Sequence, residues 1–288
     1  MKHLNQYKNE SFNFKSLTSY KNESFNSKSL TSYIIGYIIK KKVDKPIDSG
    51  DHYEYSPKTK QELIKNIEEC LNSKNYNLNC IDTSKITDMS DLFYNSKFET
   101  INIDVSNWDV SNVKDMSYMF NECQKFDCDL SKWDVSNVTK MEYMFGNCVK
   151  FDCDLSNWDV SNVTNMDRTF VYCNKFTGKG LENWNVSNVK DMSHMFYYCE
   201  NFDCDLSNWD VSNVKDMKGM FTWCDNFTGK GLEKWDVSNV KYMTSMFANC
   251  ISFEGKGLEN WNVRNVKDMH YMFNGCTSLI NTPTWHKK

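Results

Sequence analysis

The apolar positions of this chain recur in long register. Trp108, Trp133, Trp158, Trp184, Trp209, Trp235 and Trp261 are spaced by 25, 25, 26, 25, 26 and 26 residues, each opening a version of W-D/N-V-S-N-V-x-x-M-x-x-M-F-x-x-C. A divergent copy precedes them over residues 81–93, with Ile81 in the tryptophan place, and a stub follows at Trp285. A fixed period of this length is the mark of repeat units that bury apolar side chains against the same positions of their neighbours. Within one unit, Leu130-Ser131-Lys132-Trp133-Asp134-Val135-Ser136 alternates around Trp133 and Val135, which predicts a short parallel strand. Val138, Met141, Met144, Phe145 and Cys148 then fall at helical spacing, which predicts a short helix or 3₁₀ turn with Ser136 or Asn137 as N-cap. The predicted fold class is therefore α/β, a leucine-rich-repeat-like solenoid of eight 25–26-residue coils over residues 81–288.

Two segments precede the repeats. Residues 51–80 read as a capping region, with a helix from Ser56-Pro57 to about Leu71 that carries Leu63, Ile64, Ile67, Cys70 and Leu71 on one side. Such a helix would cover the first open edge of the stack. Residues 1–50 read as a flexible arm, because YKNESFNFKSLTS at 7–19 recurs as YKNESFNSKSLTS at 20–32, rich in Ser, Asn and Lys and poor in apolar surface.

The motif resembles the BspA-like leucine-rich-repeat family, in the form found in mycoplasma surface lipoproteins and in giant DNA viruses. Met144-Phe145-Gly146-Asn147-Cys148 and Trp133-Asp134-Val135-Ser136-Asn137-Val138 carry that resemblance, which spans residues 56–288. It implies a repeat scaffold for adhesion or protein binding, with no catalytic residues to carry over. The chain shows no N-terminal apolar h-region and no lipid-acceptor cysteine near its start, so the expected location is intracellular or virion-associated rather than surface-anchored.

Composition adjusts this picture. The 288 residues carry a net charge of −4, and lysine outnumbers arginine 32 to 2, which points away from a nucleic-acid surface. No apolar run approaches the ~20 residues of a membrane-spanning helix, so no membrane insertion is expected. Twelve cysteines suggest disulfides at first sight. Seven of them form one column from Cys123 to Cys276, however, and Cys128, Cys153 and Cys204 form a partial second, the pattern of free packing residues rather than of a zinc site. The five histidines share no column and no Ser or Asp partner at a meaningful spacing, so no triad is expected. Catalytic residues, metals and cofactors are all expected to be absent, and the partner is expected to be a protein. The candidate binding residues are the polar columns beside the tryptophan: Asp109, Asp134, Asp159, Asp210 and Asp236 with Asn185 and Asn262, and Ser111, Ser136, Ser161, Ser212 and Ser238 with Ser187. On a leucine-rich-repeat sheet these would face the concave side, whereas the bland reading is local capping of the following turn. An adhesin for a host protein or glycan is the alternative function.

Overall fold

The structure is a computed structural model that describes residues 53–94 and 98–286. The chain divides into units Met1–Asp51 and His52–Lys288, and all described residues belong to the second. The expected arm over residues 1–50 lies outside the described residues.

One α-helix occurs among the described residues, α1 (Lys60–Asn72). It starts three residues after Pro57 because Thr59 is the N-cap, accepting from the Glu62 N–H at 3.2 Å, while the Glu62 carboxylate takes the Lys58 N–H at 2.6 Å. Thr59 and Glu62 thus satisfy two N–H groups at the helix start, a stronger signal than the proline. Leu63, Ile67 and Cys70 of α1 are buried in the same core as the first repeat. Lys60 reaches Asp88 at 3.2 Å and Ser90 at 2.6 Å. Backbone pairing continues the contact, with Tyr55 bridging Ile81 in parallel and Asn77 bridging Asp104.

The repeats are joined differently from the expectation. No named strand occurs among the described residues, and parallel pairing is confined to single bridges that run Asp88, Asp115, Lys140, Asn165, Asp191, Asp216, Tyr242, Asp268. These bridges fall in the M-x-x-M-F half, where a helix was expected. In that half every second N–H donates to the next repeat: Met116 to the Lys140 carbonyl at 3.0 Å, Tyr118 to Glu142 at 2.8 Å, Phe120 to Met144 at 2.9 Å and Glu122 to Gly146 at 2.7 Å. The intervening N–H groups close turns three residues back, as from Met119 to Met116 and from Cys123 to Phe120. Alternation of this kind needs a left-handed residue twice per repeat, at Tyr118 (φ 59°) and Glu122 (φ 68°), then at Tyr143 (φ 55°) and Asn147 (φ 60°). A non-glycine residue there costs about 1–2 kcal/mol, and the lateral hydrogen bond made by the same residue's N–H offsets it. Successive i→i+3 turns also explain the helical apolar spacing, because they too bring positions i, i+3, i+4 and i+7 to one side.

The W-D-V-S-N-V half, expected as a strand, consists of turns tied laterally by side chains. Each tryptophan indole donates to a carbonyl of the preceding repeat, Trp133 to Val105 at 3.1 Å and Trp158 to Leu130 at 3.0 Å, with the same bond at Trp184, Trp209, Trp235, Trp261 and Trp285. The rings lie parallel, Trp133 on Trp158 at 6.4 Å and 2°. Each asparagine two residues beyond the valine does likewise, Asn137 to the Ser111 carbonyl at 2.7 Å and Asn162 to Ser136 at 2.8 Å. Phe120, Phe145, Phe170, Phe196, Phe221, Phe247 and Phe273 stack through the middle at 5.5–5.8 Å. The step from 25 to 26 residues solves one local problem in two ways. Leu130 N–H donates to Cys153 Sγ at 3.2 Å, whereas Leu155 and Leu206, facing the longer Thr-Gly-Lys-Gly insertions, donate to the Lys179 and Lys230 carbonyls, both at 3.2 Å. The insertion requires Gly180 at φ 92°, where a Cβ would strike the Ser156 nitrogen and the Leu155 carbonyl carbon.

Candidate functional site

The Asp and Ser columns pair with each other within each repeat. Asp109 accepts from Ser111 N–H at 3.0 Å and from its hydroxyl at 2.6 Å; Asp134, Asp159, Asp210 and Asp236 accept from the N–H of Ser136, Ser161, Ser212 and Ser238 at 2.9–3.1 Å. Asn185 does the same for Ser187 at 3.2 Å. These are Asx turns, which satisfy backbone donors two residues on. The serine hydroxyl and N–H hold the carboxyls of Asp134 and Asp236 below the usual carboxylate range. The carboxylates are exposed, each with one oxygen held in its turn, and the intervening serine carbonyls are taken by the asparagine ladder. Among the described residues no group of three or more His, Cys, Asp or Glu could hold a metal ion.

A groove of about 630 Å³ lies instead on the M-x-x-M-F half, lined by Tyr94, Tyr118, Tyr143, Arg168, Tyr172 and Tyr197 among others. Its floor is built by the left-handed positions of successive repeats, which hold Tyr118, Tyr143, Arg168 and His194. Tyr118 stacks on Tyr143 at 4.7 Å and 12°, and the Arg168 guanidinium covers Tyr143 at 5.3 Å. Tyr94 and Tyr172 remain 46% and 44% exposed, and the aromatic surface runs on through Tyr198 to Trp223, whose ring centroids are 5.5 Å apart. Burial raises the phenols of Tyr118 and Tyr143 above their ordinary value, so they stay neutral donors.

Two of the lining residues, Arg168 and His194, belong to a polar cluster that no sequence spacing announced. Asp167 pairs with Arg168 at 2.6 Å and accepts from the Ser193 hydroxyl at 2.8 Å, with His194 Nδ1 at 3.9 Å. Burial works to raise the Asp167 carboxyl, but His194, Ser193 and Arg168 together hold it below the usual range. Serine, histidine and aspartate thus meet, yet in the wrong order for a nucleophile. The Ser193 hydroxyl points at carboxylates, at Asp167 and at Asp191 (2.5 Å), and Ser193 is itself buried. A hydrolytic serine must give its proton to the imidazole. The cluster fixes Arg168 in place over Tyr143.

The cysteine column is chemically quiet. Each thiol of the column from Cys123 to Cys276 donates to a phenylalanine carbonyl of the preceding repeat, such as Cys173 to Phe145 at 3.0 Å. Burial pushes Cys123 up to about 12 and Cys148, Cys173, Cys199, Cys224 and Cys250 well above the ordinary thiol value.

Among the described residues no helix is long and apolar enough to cross a membrane. The model of a family described as Mycoplasma protein of unknown function, DUF285, matches residues 61–183 and, in an overlapping second match, 165–285. Neither a curated protein nor a solved structure matches the chain.

Proposed function

The chain belongs to this family of unknown function, and on that premise we propose that it is a non-enzymatic scaffold, a leucine-rich-repeat-like solenoid that binds a protein through the tyrosine groove. One observation carries the reading. The half tied together by side chains repeats Asp/Asn, Ser and Asn nearly without change, whereas the half tied by backbone varies at its first left-handed position, which reads Tyr118, Tyr143, Arg168, His194, Gly219, Ser245 and Tyr271 in consecutive repeats. Tyr, Trp and Arg are the residues that dominate binding energy at protein interfaces. Arg168 is held by Asp167 and Tyr143, so it costs little ordering on association.

A polypeptide suits this groove better than a glycan does. Sugar rings dock on open aromatic faces, and Tyr143 is stacked against Tyr118 and overlaid by Arg168. Phenol hydroxyls and the guanidinium suit backbone carbonyls and acidic or amide side chains. The test is affinity capture with the full chain and two multiple variants, one with Tyr94, Tyr118, Tyr143 and Tyr172 changed to Ser, the other with Asp134, Asp159, Asp210 and Asp236 changed to Ala. A partner lost with the tyrosine set and kept with the aspartate set supports the groove. The reverse pattern, with both variants folded, sinks it.

A further inference from the structure

Cys70 and Cys80 stand apart from the other cysteines. The ladder thiols are engaged with phenylalanine carbonyls, and Cys128 and Cys153 accept backbone N–H groups of Val105 and Leu130. Cys70, near the C-terminal end of α1, meets Cys80, at the entry to the first repeat, with sulfurs 3.8 Å apart, and the Cys80 sulfur also lies 4.0 Å from the Asn75 amide and from the Asn77 carbonyl. Both backbones are pinned: Asn75 N–H donates to the Cys70 carbonyl at 2.9 Å, and Glu54 N–H to the Cys80 carbonyl at 2.8 Å. A disulfide needs its sulfurs at about 2.0 Å, so side-chain rotation of under about 2 Å joins them with little backbone movement. The ten-residue separation closes a short loop between the helix and the repeats.

We propose that Cys70 and Cys80 are an oxidative modification site that takes a low-molecular-weight disulfide such as glutathione disulfide as co-substrate and fastens α1 to the first repeat. Cys80 is partly exposed and Cys70 buried, so Cys80 reacts first. Its thiolate attacks one sulfur of glutathione disulfide, forming a mixed disulfide and releasing one glutathione thiolate. The Cys70 sulfur then attacks the Cys80 sulfur, the Cys80–glutathione bond breaks, and the second glutathione leaves with the Cys70 proton. Two protein thiols are oxidised and one glutathione disulfide is reduced to two glutathiones. The hydrogen bond with Cys80, then burial, and then the charges of Glu54 and Glu69 hold the Cys70 thiol above its ordinary range. Tyr55, which faces the pair, is pushed up to about 12 and stays neutral.

The experiment incubates the full chain with glutathione disulfide at pH 8 under native conditions, followed by non-reducing peptide mapping and amide hydrogen exchange. The expected result is a Cys70–Cys80 crosslink with the ladder cysteines still reduced, and slower exchange across Lys60–Asn72 in the oxidised chain. In C70S the reaction stops at a glutathione adduct on Cys80. The proposal is overturned if the wild-type chain keeps both thiols free, if it retains a stable adduct without crosslinking, or if the crosslink forms and leaves exchange in α1 unchanged.

Discussion

The two halves of each repeat solve the same problem with different parts. In the tryptophan half, lateral cohesion comes from side chains: an indole N–H and an asparagine amide in nearly every copy. In the methionine half it comes from backbone N–H groups donating to the next repeat. A side-chain ladder fixes residue identity, because removing one rung leaves a carbonyl without its donor. A backbone ladder leaves the outward side chains free. The difference shows where such a protein can vary its surface without weakening its fold, and that is where Tyr94, Tyr118, Tyr143, Arg168 and Tyr172 stand.

Substitutions in the two halves should differ in their cost. Trp158→Ala removes a ring that is 4% exposed together with its bond to the Leu130 carbonyl; chemical denaturation should show a loss of about 3–5 kcal/mol. Gly180→Ala forces a Cβ onto the backbone of the neighbouring repeat at a left-handed position, and the expected loss is on the order of 1–3 kcal/mol by the same measurement. Asn162→Ala cuts one rung of the side-chain ladder and should cost about 0.5–1.5 kcal/mol. Tyr94→Ser in the other half, where the residue is 46% exposed, should stay within about 0.5 kcal/mol. Equal losses for Asn162→Ala and Tyr94→Ser would remove the distinction between the halves.

The smallest effect concerns pH and the turns between the halves. Lys179 and Lys230 pair with Asp154 at 2.9 Å and Asp205 at 2.8 Å, and these hydrogen bonds lower both carboxyls to about 2. A carboxyl lowered on folding contributes stability above its unfolded value and loses it as pH falls through the folded one. The denaturation midpoint should therefore drop between about pH 4 and pH 2, and Asp205→Asn should flatten part of that drop. Both groups are exposed, so the change is slight and shrinks further in high salt.

Much of the arrangement was legible in the residues. The 25–26-residue period, the buried columns of Trp, Val, Met, Phe and Cys, and the link between Thr-Gly-Lys-Gly and the extra residue all follow from spacing alone, since only registered columns let each unit bury its side chains. The local elements were not legible. The spacing of Val138, Met141, Met144, Phe145 and Cys148 is shared by a helix and by consecutive i→i+3 turns. What decides between them is a hydrogen-bond partner in the next repeat, 24 residues away for Tyr118 and Glu142. The candidate site escaped for the same reason. Tyr118, Tyr143 and Arg168 look like unremarked variation in three separate copies, and become one surface only when the copies lie side by side. Sequence alone thus determined the period and the core, because burial is read from apolar spacing. Tertiary structure decided which half carries the backbone ladder and where the variable side chains converge, because lateral hydrogen bonds join residues that local pattern cannot connect.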